Sequence, residues 1–138
     1  MKVDGKAMRT IWGEPDGSTV GAIDQTKLPH RFETVRWTSM DEAAHAIKAM
    51  IVRGAPLIGA AAAYGVALAM RADASDANLK RAYDALGATR PTAINLKWAL
   101  DEAAEAIKVM IVRGAPLIGA AAASVSYTHL TLPTIYSV

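Results

Sequence analysis

The spacing of hydrophobic residues changes near residue 39. Before that point the chain has three short β-prone runs, at residues 9–12, 19–23 and 32–37. Pro15 and Gly17 lie between the first two runs and are typical of a tight turn, because Pro presets φ and Gly tolerates a positive φ. We therefore predict a hairpin and a third strand, which form a small antiparallel sheet within residues 1–37.

From residue 39 onward, the hydrophobic positions follow a helical period. The first helix has an apolar face three to four residues apart, at Met40, Ala43, Ala44, Ile47, Met50 and Ile51. Ser39 and Glu42 have the spacing of a capping box, which predicts the start of this helix. Gly54 is predicted to end it in the left-handed conformation.

Three further helices are predicted, at residues 57–72, at about 76–86, and from about residue 92 onward. Pro56 suits the first position of the second helix, and Thr92 suits the cap of the fourth. Gly59 and Gly65 each cost the second helix roughly 1 kcal/mol. Close packing against another backbone would offset that cost, and we therefore predict that this helix is central. The predicted fold class is α+β, with the small N-terminal sheet followed by a mainly α-helical bundle over residues 38–100.

Composition excludes several classes of protein. The 138 residues are 52% hydrophobic with a formal net charge of +2 and no cysteine, which excludes a disulfide-rich scaffold and gives no basic patch for nucleic acid. The N-terminus lacks the apolar segment of a signal peptide, and the longest apolar run is too short to span a bilayer. We expect a cytoplasmic protein that binds neither nucleic acid nor membrane.

The sequence "VRGAPLIG" at residues 52–59 is the strongest candidate for a binding site. It combines the end of one helix, a Gly turn and the start of the next helix, whose free N–H groups attract an anion. Arg53 could grip a phosphate through two hydrogen bonds. The alternative is a structural corner between helices, with Arg53 in solvent.

A second arginine precedes the fourth helix. Arg90 stands in "TRPTAINL" at residues 89–96, and it could converge with Arg53 on one anion, although a capped surface helix explains the same pattern. The histidines His30, His45 and His129 lack metal-ligand spacing, and we predict no metal site. His45 is expected at the surface, because Glu105 takes its place in a repeat described below.

Three motifs resemble one protein family. The sequences "IDQTKLPHRFE", "MIVRGAPLIGAAAAYGVALA" and "TRPTAINLKWAL" stand in the order and spacing of the methylthioribose-1-phosphate isomerase family, which is related to regulatory subunits of translation initiation factor 2B. The resemblance implies an aldose–ketose isomerisation of 5-methylthioribose 1-phosphate in methionine salvage, without a cofactor. The alternatives are a non-catalytic regulatory subunit of the initiation-factor type, or a ribose 1,5-bisphosphate isomerase.

The resemblance also assigns residues. It places substrate binding at Arg53, Gly54, Ala55 and Arg90, and makes residues 1–100 the N-terminal domain. The family's catalytic cysteine and aspartate lie in a Rossmann-like second domain that we find absent here, so no catalytic residue is carried over and the chain is expected to be inactive. The implied partner is a small-molecule sugar phosphate, and the family implies a homodimer.

One block of sequence occurs twice. Residues 101–123 repeat residues 41–63 except at the pairs His45/Glu105 and Ala49/Val109, and the flanking sequences are unrelated. Residues 125–134 resemble the translation of a transposon-type sequencing adapter. We therefore interpret the chain as a chimera, with an unstructured tail at residues 124–138, and keep a recent tandem duplication as the alternative.

Overall fold

The N-terminal part of the molecule is a small antiparallel sheet. The structure is a computed structural model that describes residues 2–108, with side-chain surroundings from residue 4 onward. The main sheet has the order β3–β4–β5, formed by Ile11–Gly13, Val20–Ile23 and Thr34–Trp37. Strand β4 is central and buried throughout, and its register pairs Val20 with both Gly13 and Trp37. The predicted hairpin and third strand are confirmed, with bounds shifted by one or two residues.

A second hairpin precedes this sheet and was not predicted. Strands β1 (Lys2–Val3) and β2 (Lys6–Ala7) pair across Asp4 and Gly5, which have φ of 51° and 80°. An Asp-Gly pair is the usual sequence for a two-residue turn with two positive φ values. The signal was therefore present at these two positions, although the strands are only two residues long.

Four helices follow the sheet: α1 (Met40–Lys48), α2 (Ala55–Ala72), α3 (Asp76–Gly87) and α4 (Ile94–Lys108). The small antiparallel sheet and the helices confirm the predicted α+β class. The Ser39 hydroxyl accepts a hydrogen bond from the Glu42 N–H at 3.2 Å, which confirms half of the capping box. The other half differs, because the Glu42 carboxylate accepts from the N–H and hydroxyl of Thr38.

The end of α1 corrects one prediction. Gly54 does not end this helix, because α1 stops at Lys48 and Gly54 directly precedes α2. The actual ending is a Schellman motif, in which the Ile51 N–H donates to the Ala46 carbonyl at 2.9 Å and the Met50 N–H donates to the Ile47 carbonyl at 3.3 Å. Met50 adopts the left-handed conformation with φ of 63°, where glycine is the usual residue.

Helix α2 is the centre of the bundle, as predicted. It contacts α1, α3 and α4, and most of its residues are buried. A Cβ added to Gly65 would lie 3.1 Å from the Leu86 side chain and 3.2 Å from the Ala43 Cβ, so the packing is close, but it is against side chains and not against another backbone as predicted. Within the described residues, α2 alone is long and apolar enough to cross a membrane, but 67% of it is buried by protein, as in a core helix.

The start of α4 also differs from the prediction. The first residue of this helix is Ile94, and the carbonyl of Ala93 accepts the hydrogen bond from the Lys97 N–H at 3.2 Å. Ala93 therefore holds the cap position, and Thr92 lies one residue too early to cap. Helix α4 continues into the repeated block as far as Lys108, while the remainder of that block and the adapter-like tail lie outside the described residues.

Candidate anion-binding site

The loop at residues 49–54 connects α1 to α2 and carries the first candidate residues. Val52 is fully buried and anchors this loop in the core. Arg53, Gly54 and Ala55 are exposed immediately after it. Gly54 has φ of 99°, a conformation that side chains rarely adopt, so glycine is required at this position. The sequence therefore presents one cation and a bare backbone to solvent at the start of a long helix.

The N-terminus of α2 has no side-chain cap. Helices α1 and α3 are capped by the hydroxyls of Ser39 and Ser75, whereas no side chain caps α2 at Gly54. The first helical hydrogen bond runs from the Ile58 N–H to the Gly54 carbonyl at 2.9 Å. The N–H groups of Ala55 and Leu57 precede that bond, and the positive end of the helix dipole lies beside them. This arrangement suits an anion, as predicted from the sequence.

A second loop contacts the first one. Residues 24–33 connect β4 to β5, and the Gln25 N–H donates to the Ile51 carbonyl at 2.9 Å. The Arg53 Nη2 donates to the Gln25 carbonyl at 3.5 Å. Arg53 is exposed, but its guanidinium is tethered at one nitrogen and not left wholly to solvent. The motif "IDQTKLP" thus packs against the motif "IVRGAP", which the sequence alone did not reveal.

Arg90 lies at a different position in the bundle. It is half-buried ahead of α4 and lines a cavity of about 260 Å³ between α3 and α4, together with Tyr83, Asp84 and Lys97. Arg53 does not line this cavity. The Ala93 N–H donates to the Arg90 carbonyl at 3.0 Å, which fixes the turn that leads into α4.

The relation between the two arginines follows from the helix directions. The Asn78 side chain near the start of α3 donates to the Ala69 carbonyl near the end of α2, and Leu86 near the end of α3 lies beside Gly65 in the middle of α2, so α2 and α3 run antiparallel. The start of α3 and the last described turn of α4 line one cavity with Asp76 and Lys108, whereas the end of α3 and the start of α4 line another with Gly87 and Leu96, so α3 and α4 are antiparallel as well. Helices α2 and α4 therefore run parallel, and both arginines precede N-termini at the same end of the bundle. Their convergence on one anion stays a prediction.

Electrostatics beside the Arg90 cavity depends on three side chains. Tyr83 donates to the Asp101 carboxylate, and Lys97 donates to the same carboxylate at 3.2 Å. The hydrogen bond from Tyr83 is the largest influence on Asp101 and lowers its pKa; burial opposes this effect, and the contact with Lys97 lowers the pKa further. The hydrogen bond to Asp101 raises the pKa of both Tyr83 and Lys97. All three shifts favour the ordinary state of each group near neutral pH, in which Asp101 and Lys97 are charged and Tyr83 is neutral.

Two residues of the site were missed at the sequence level. Asp24 is buried with 7% exposure, and Gln25 next to it holds the Arg53 loop through its backbone. Both belong to "IDQTKLP", a motif quoted for the family resemblance but not for any contact. Within residues 2–108 no group of three or more acidic or histidine side chains could hold a metal ion. His30 and His45 are exposed, as predicted for His45, and His129 lies outside the described range.

Comparison with known proteins identifies relatives that match most of this chain. No protein-family model matches the chain. The sequence is 67% identical over 102 residues to a methylthioribose-1-phosphate isomerase of Paramagnetospirillum magneticum, covering 74% of this chain and 28% of that protein. The chain thus spans less than a third of the length of this curated relative.

Two solved structures resemble the fold. A 5-methylthioribose 1-phosphate isomerase from Pyrococcus horikoshii OT3 superposes with a TM-score of 0.73 at 33% identity, covering 92% of this chain and 37% of that one. Subunit delta of translation initiation factor eIF-2B from A. fulgidus superposes with a TM-score of 0.74 at 34% identity, covering 93% and 38%. These matches confirm the resemblance drawn from the three motifs.

Proposed function

Because the chain belongs to the family of proteins named methylthioribose-1-phosphate isomerase, we propose that it forms a substrate-binding part of such an isomerase. The whole enzyme would convert the aldose 5-methylthioribose 1-phosphate into the ketose methylthioribulose 1-phosphate, in methionine salvage. The observation that carries the proposal is the uncapped N-terminus of α2, with Arg53 and Gly54 beside it.

Arg53, Gly54 and Ala55 would bind the phosphate group. The Ala55 and Leu57 N–H groups supply neutral donors and a positive dipole end, and the Arg53 guanidinium supplies charge-assisted donors. Its tether to the Gln25 carbonyl occupies one nitrogen and leaves the others for the ligand. Arg90, ahead of the parallel helix α4, would contact the same substrate from the second loop.

The chemistry of the isomerisation would need further groups. Hydrogen moves between neighbouring carbons of the sugar, which requires positioned acid and base side chains. We find none to assign among the described residues of this site, and the family resemblance places them in a second domain. We therefore propose that the 138-residue chain binds the sugar phosphate weakly and does not turn it over.

The similarity to the delta subunit of eIF-2B supports a second candidate, a non-catalytic binding module on the same fold. The two candidates differ in their need for phosphate-binding arginines before the N-termini of α2 and α4. An isomerase requires them, whereas a module that only binds other proteins does not. Arg53 and Arg90 therefore favour the isomerase.

We also propose a cytoplasmic protein whose partner is a small molecule. The mostly buried position of α2 supports assignment to a soluble protein. Homodimerisation, and the lack of nucleic-acid and membrane partners, are proposed from the family resemblance and from the small net charge of +2.

The decisive experiment supplies the part of the Paramagnetospirillum relative that this chain does not span. Residues 1–100 are joined to the remainder of the Paramagnetospirillum relative, and Arg53→Ala is compared with the unsubstituted fusion. Loss of a charge-assisted hydrogen bond costs about 1.5–3 kcal/mol, so the KM for 5-methylthioribose 1-phosphate should rise by roughly ten- to a hundredfold. Arg71→Ala is the matched control, because Arg71 is an exposed arginine in the last turn of the same helix.

Unchanged kinetics in the Arg53→Ala fusion would mean that residues 52–59 are only a structural corner between two helices, and would overturn the proposal. The chain of 138 residues is assayed in parallel, with Arg113→Ala of the repeated loop at residues 113–116 as a further variant. That loop lies outside the described residues, and we predict that it is not a working site. Turnover that Arg113→Ala abolishes would contradict both this prediction and the interpretation of the chain as a chimera.

A further inference from the structure

The burial of Asp24, in the loop between β4 and β5, needs an explanation. Asp24 and Asn78 are the polar or charged residues that the described part of the chain buries, with 7% and 8% exposure. The Asn78 side chain joins helices, because it donates to the Ala69 and Asp73 carbonyls. Asp24 lies in a loop, where burial of a carboxylate is unfavourable unless hydrogen bonds satisfy it.

Hydrogen bonds to Asp24 fix the backbone of a turn. Its Oδ1 accepts from the Thr26 N–H at 2.9 Å and from the Thr26 hydroxyl at 2.5 Å. Its own N–H donates to the Glu33 carbonyl at 2.9 Å, and its carbonyl accepts from the Lys27 N–H at 3.3 Å. The side chain therefore organises an Asx turn at the point where the β4–β5 loop leaves the sheet.

Gln25 lies inside this turn, and within the described part of the chain its hydrogen bonds to the anion-binding loop are made by its peptide groups. Its N–H donates to the Ile51 carbonyl, and its carbonyl accepts from Arg53. The direction of both groups is set by the turn and not by the Gln25 side chain. We propose that Asp24 is a positioning residue, which holds the Gln25 backbone so that Ile51 and the Arg53 guanidinium are fixed for an incoming phosphate. This inference rests on the proposed function for its ligand.

The same molecule supplies a matched control. Asp16 makes an equivalent turn between β3 and β4, where its Oδ1 accepts from the Ser18 and Thr19 N–H groups at 2.8 Å and 2.9 Å. Its Oδ2 accepts from the Thr19 hydroxyl at 2.7 Å. Asp16 is exposed, and its side-chain hydrogen bonds within the described part of the chain stay inside its own turn, so its loss should loosen that turn without affecting Arg53.

The first measurement needs no ligand. Amide hydrogen exchange of Gln25 is followed by NMR in the 138-residue chain for Asp24→Ala, Asp24→Asn and Asp16→Ala. Asp24→Ala removes the acceptor and should accelerate exchange at Gln25 by about tenfold or more, through local opening of the turn. Asp24→Asn keeps an acceptor oxygen and should restore most of the protection. Amides in α2 serve as the reference for global stability.

The second measurement uses 5-methylthioribose 1-phosphate as the probe. Titration is followed at the Gly54 and Ala55 amides of each variant. We expect Asp24→Ala to raise the Kd by about fivefold, less than the roughly tenfold or greater loss expected for a direct charge-assisted bond. Asp24→Asn and Asp16→Ala should stay within about twofold of the unsubstituted chain, a difference of at most about 0.4 kcal/mol.

The outcomes separate the two proposals. If the unsubstituted chain shows no binding, the proposed function fails, and the exchange at Gln25 still decides the role of Asp24. Unchanged Gln25 protection in Asp24→Ala, or an equal loss of affinity in Asp16→Ala, overturns the positioning role. If Asp24→Ala does not fold, Thr26→Val decides instead, because it removes only the hydroxyl donor from an exposed position. Faster Gln25 exchange in that variant supports the role, and unchanged exchange overturns it.

Discussion

Helices α1 and α4 contain almost the same segment in two different places. Residues 41–48 and 101–108 differ only at the pair His45/Glu105, and both segments are helical. The buried positions of the first segment are Ala43, Ala46 and Ile47, and those of the second are Ala103, Ala106 and Ile107. Helix α1 packs against β5, α2 and α3, whereas α4 packs against α2 and α3. The spacing of apolar residues therefore selects the buried face in both surroundings.

Polar side chains of the two segments do not behave alike. In α1 the Glu42 carboxylate accepts hydrogen bonds from Thr38 and Ser39. In α4 it is Asp101 that is engaged, by Tyr83 and Lys97. The equivalent side chains, those of Asp41 and Glu102, make no hydrogen bond or ion pair within the described part of the chain. Polar contacts thus depend on which neighbours the rest of the chain supplies.

The ends of the segments differ for the same reason. Ser39 precedes the first segment and caps α1, while the equivalent position before the second segment is Ala99, which is fully buried inside α4. The first segment therefore begins a helix, and the second segment continues one. Helix boundaries are set by the flanking residues, whereas the buried face is set within the segment.

The largest effects should come from the shared buried face. We expect Ile47→Ala and Ile107→Ala each to lower the free energy of unfolding by about 2–4 kcal/mol, because each removes a buried side chain from the core. Chemical denaturation followed by circular dichroism measures both changes.

Ile94→Ala is the control for this pair, since Ile94 lies on α4 with 83% exposure and should change stability by less than about 0.5 kcal/mol. An Ile107→Ala variant as mild as Ile94→Ala would show that the two segments are not equivalent in the core.

Loss of the cap should affect only the first segment. Ser39→Ala gives the first segment the residue that Ala99 supplies at the matching position before the second segment. The substitution also removes the acceptor for the Glu42 N–H. We expect a loss of about 1 kcal/mol in the free energy of unfolding. Glu102→Ala serves as the control, because that exposed residue has no described partner. Equal small effects in both variants would mean that the cap contributes nothing to α1.

Strain at the end of α1 predicts a stabilising substitution. Met50 holds a positive φ with 40% exposure, so Met50→Gly relieves about 1 kcal/mol of backbone strain and loses little packing. The greater freedom of Gly in the unfolded chain offsets part of this, which leaves a gain of about 0.5 kcal/mol. Ala49→Gly is the control, since Ala49 has φ of −81° and should be destabilised by the same change. Two losses of stability would contradict the strain at Met50.

The elements with many residues in one pattern were predictable from the sequence. The apolar period predicted the helices, the helix cost of Gly59 and Gly65 predicted the central position of α2, and the turn residues predicted the main hairpin. Gly54 was assigned to the wrong helix, because a glycine after an apolar run is the usual sign of a C-terminus and Met50 is not. The Schellman motif depends on hydrogen bonds from the backbone N–H groups of Met50 and Ile51, and the residue types at these positions do not predict such bonds.

The candidate site was predictable only in part. Arg53 and Gly54 stood in a recognisable loop-to-helix junction, and the structure places them at the uncapped end of α2. The support from Asp24 and Gln25 was not visible, because it passes through backbone groups of a loop distant in the sequence. Arg90 was predicted correctly to precede a helix, but one side of its cavity is formed by residues of α3 that no local sequence pattern connects with it.

The smallest effect should come from the polar contacts that distinguish the second segment. The pKa of Asp101 is lowered in the folded state, first by Tyr83 and then by Lys97. A lowered carboxyl pKa contributes stability above the unfolded value of 3.8, and that contribution is lost as the pH falls through the folded value. Because the pair is exposed, we expect Asp101→Asn to lower stability by only about 0.5 kcal/mol at pH 7.

The difference between Asp101→Asn and the unsubstituted chain should therefore disappear as the pH falls through the folded-state pKa of Asp101, which lies below 3.8. It should also shrink at high pH. The pKa values of Tyr83 and Lys97 are raised above 10.0 and 10.5, so their contribution holds below those values and is lost as the pH rises through the folded ones. Glu102→Gln is the control, since it removes a charge from the adjacent position of the same exposed turn. The unfolding free energies of Asp101→Asn and of the unsubstituted chain are compared from pH 2 to 11. If the two profiles run parallel, the segment in α4 gains no stability from Tyr83 and Lys97. The two segments would then be equivalent in their polar contacts as well.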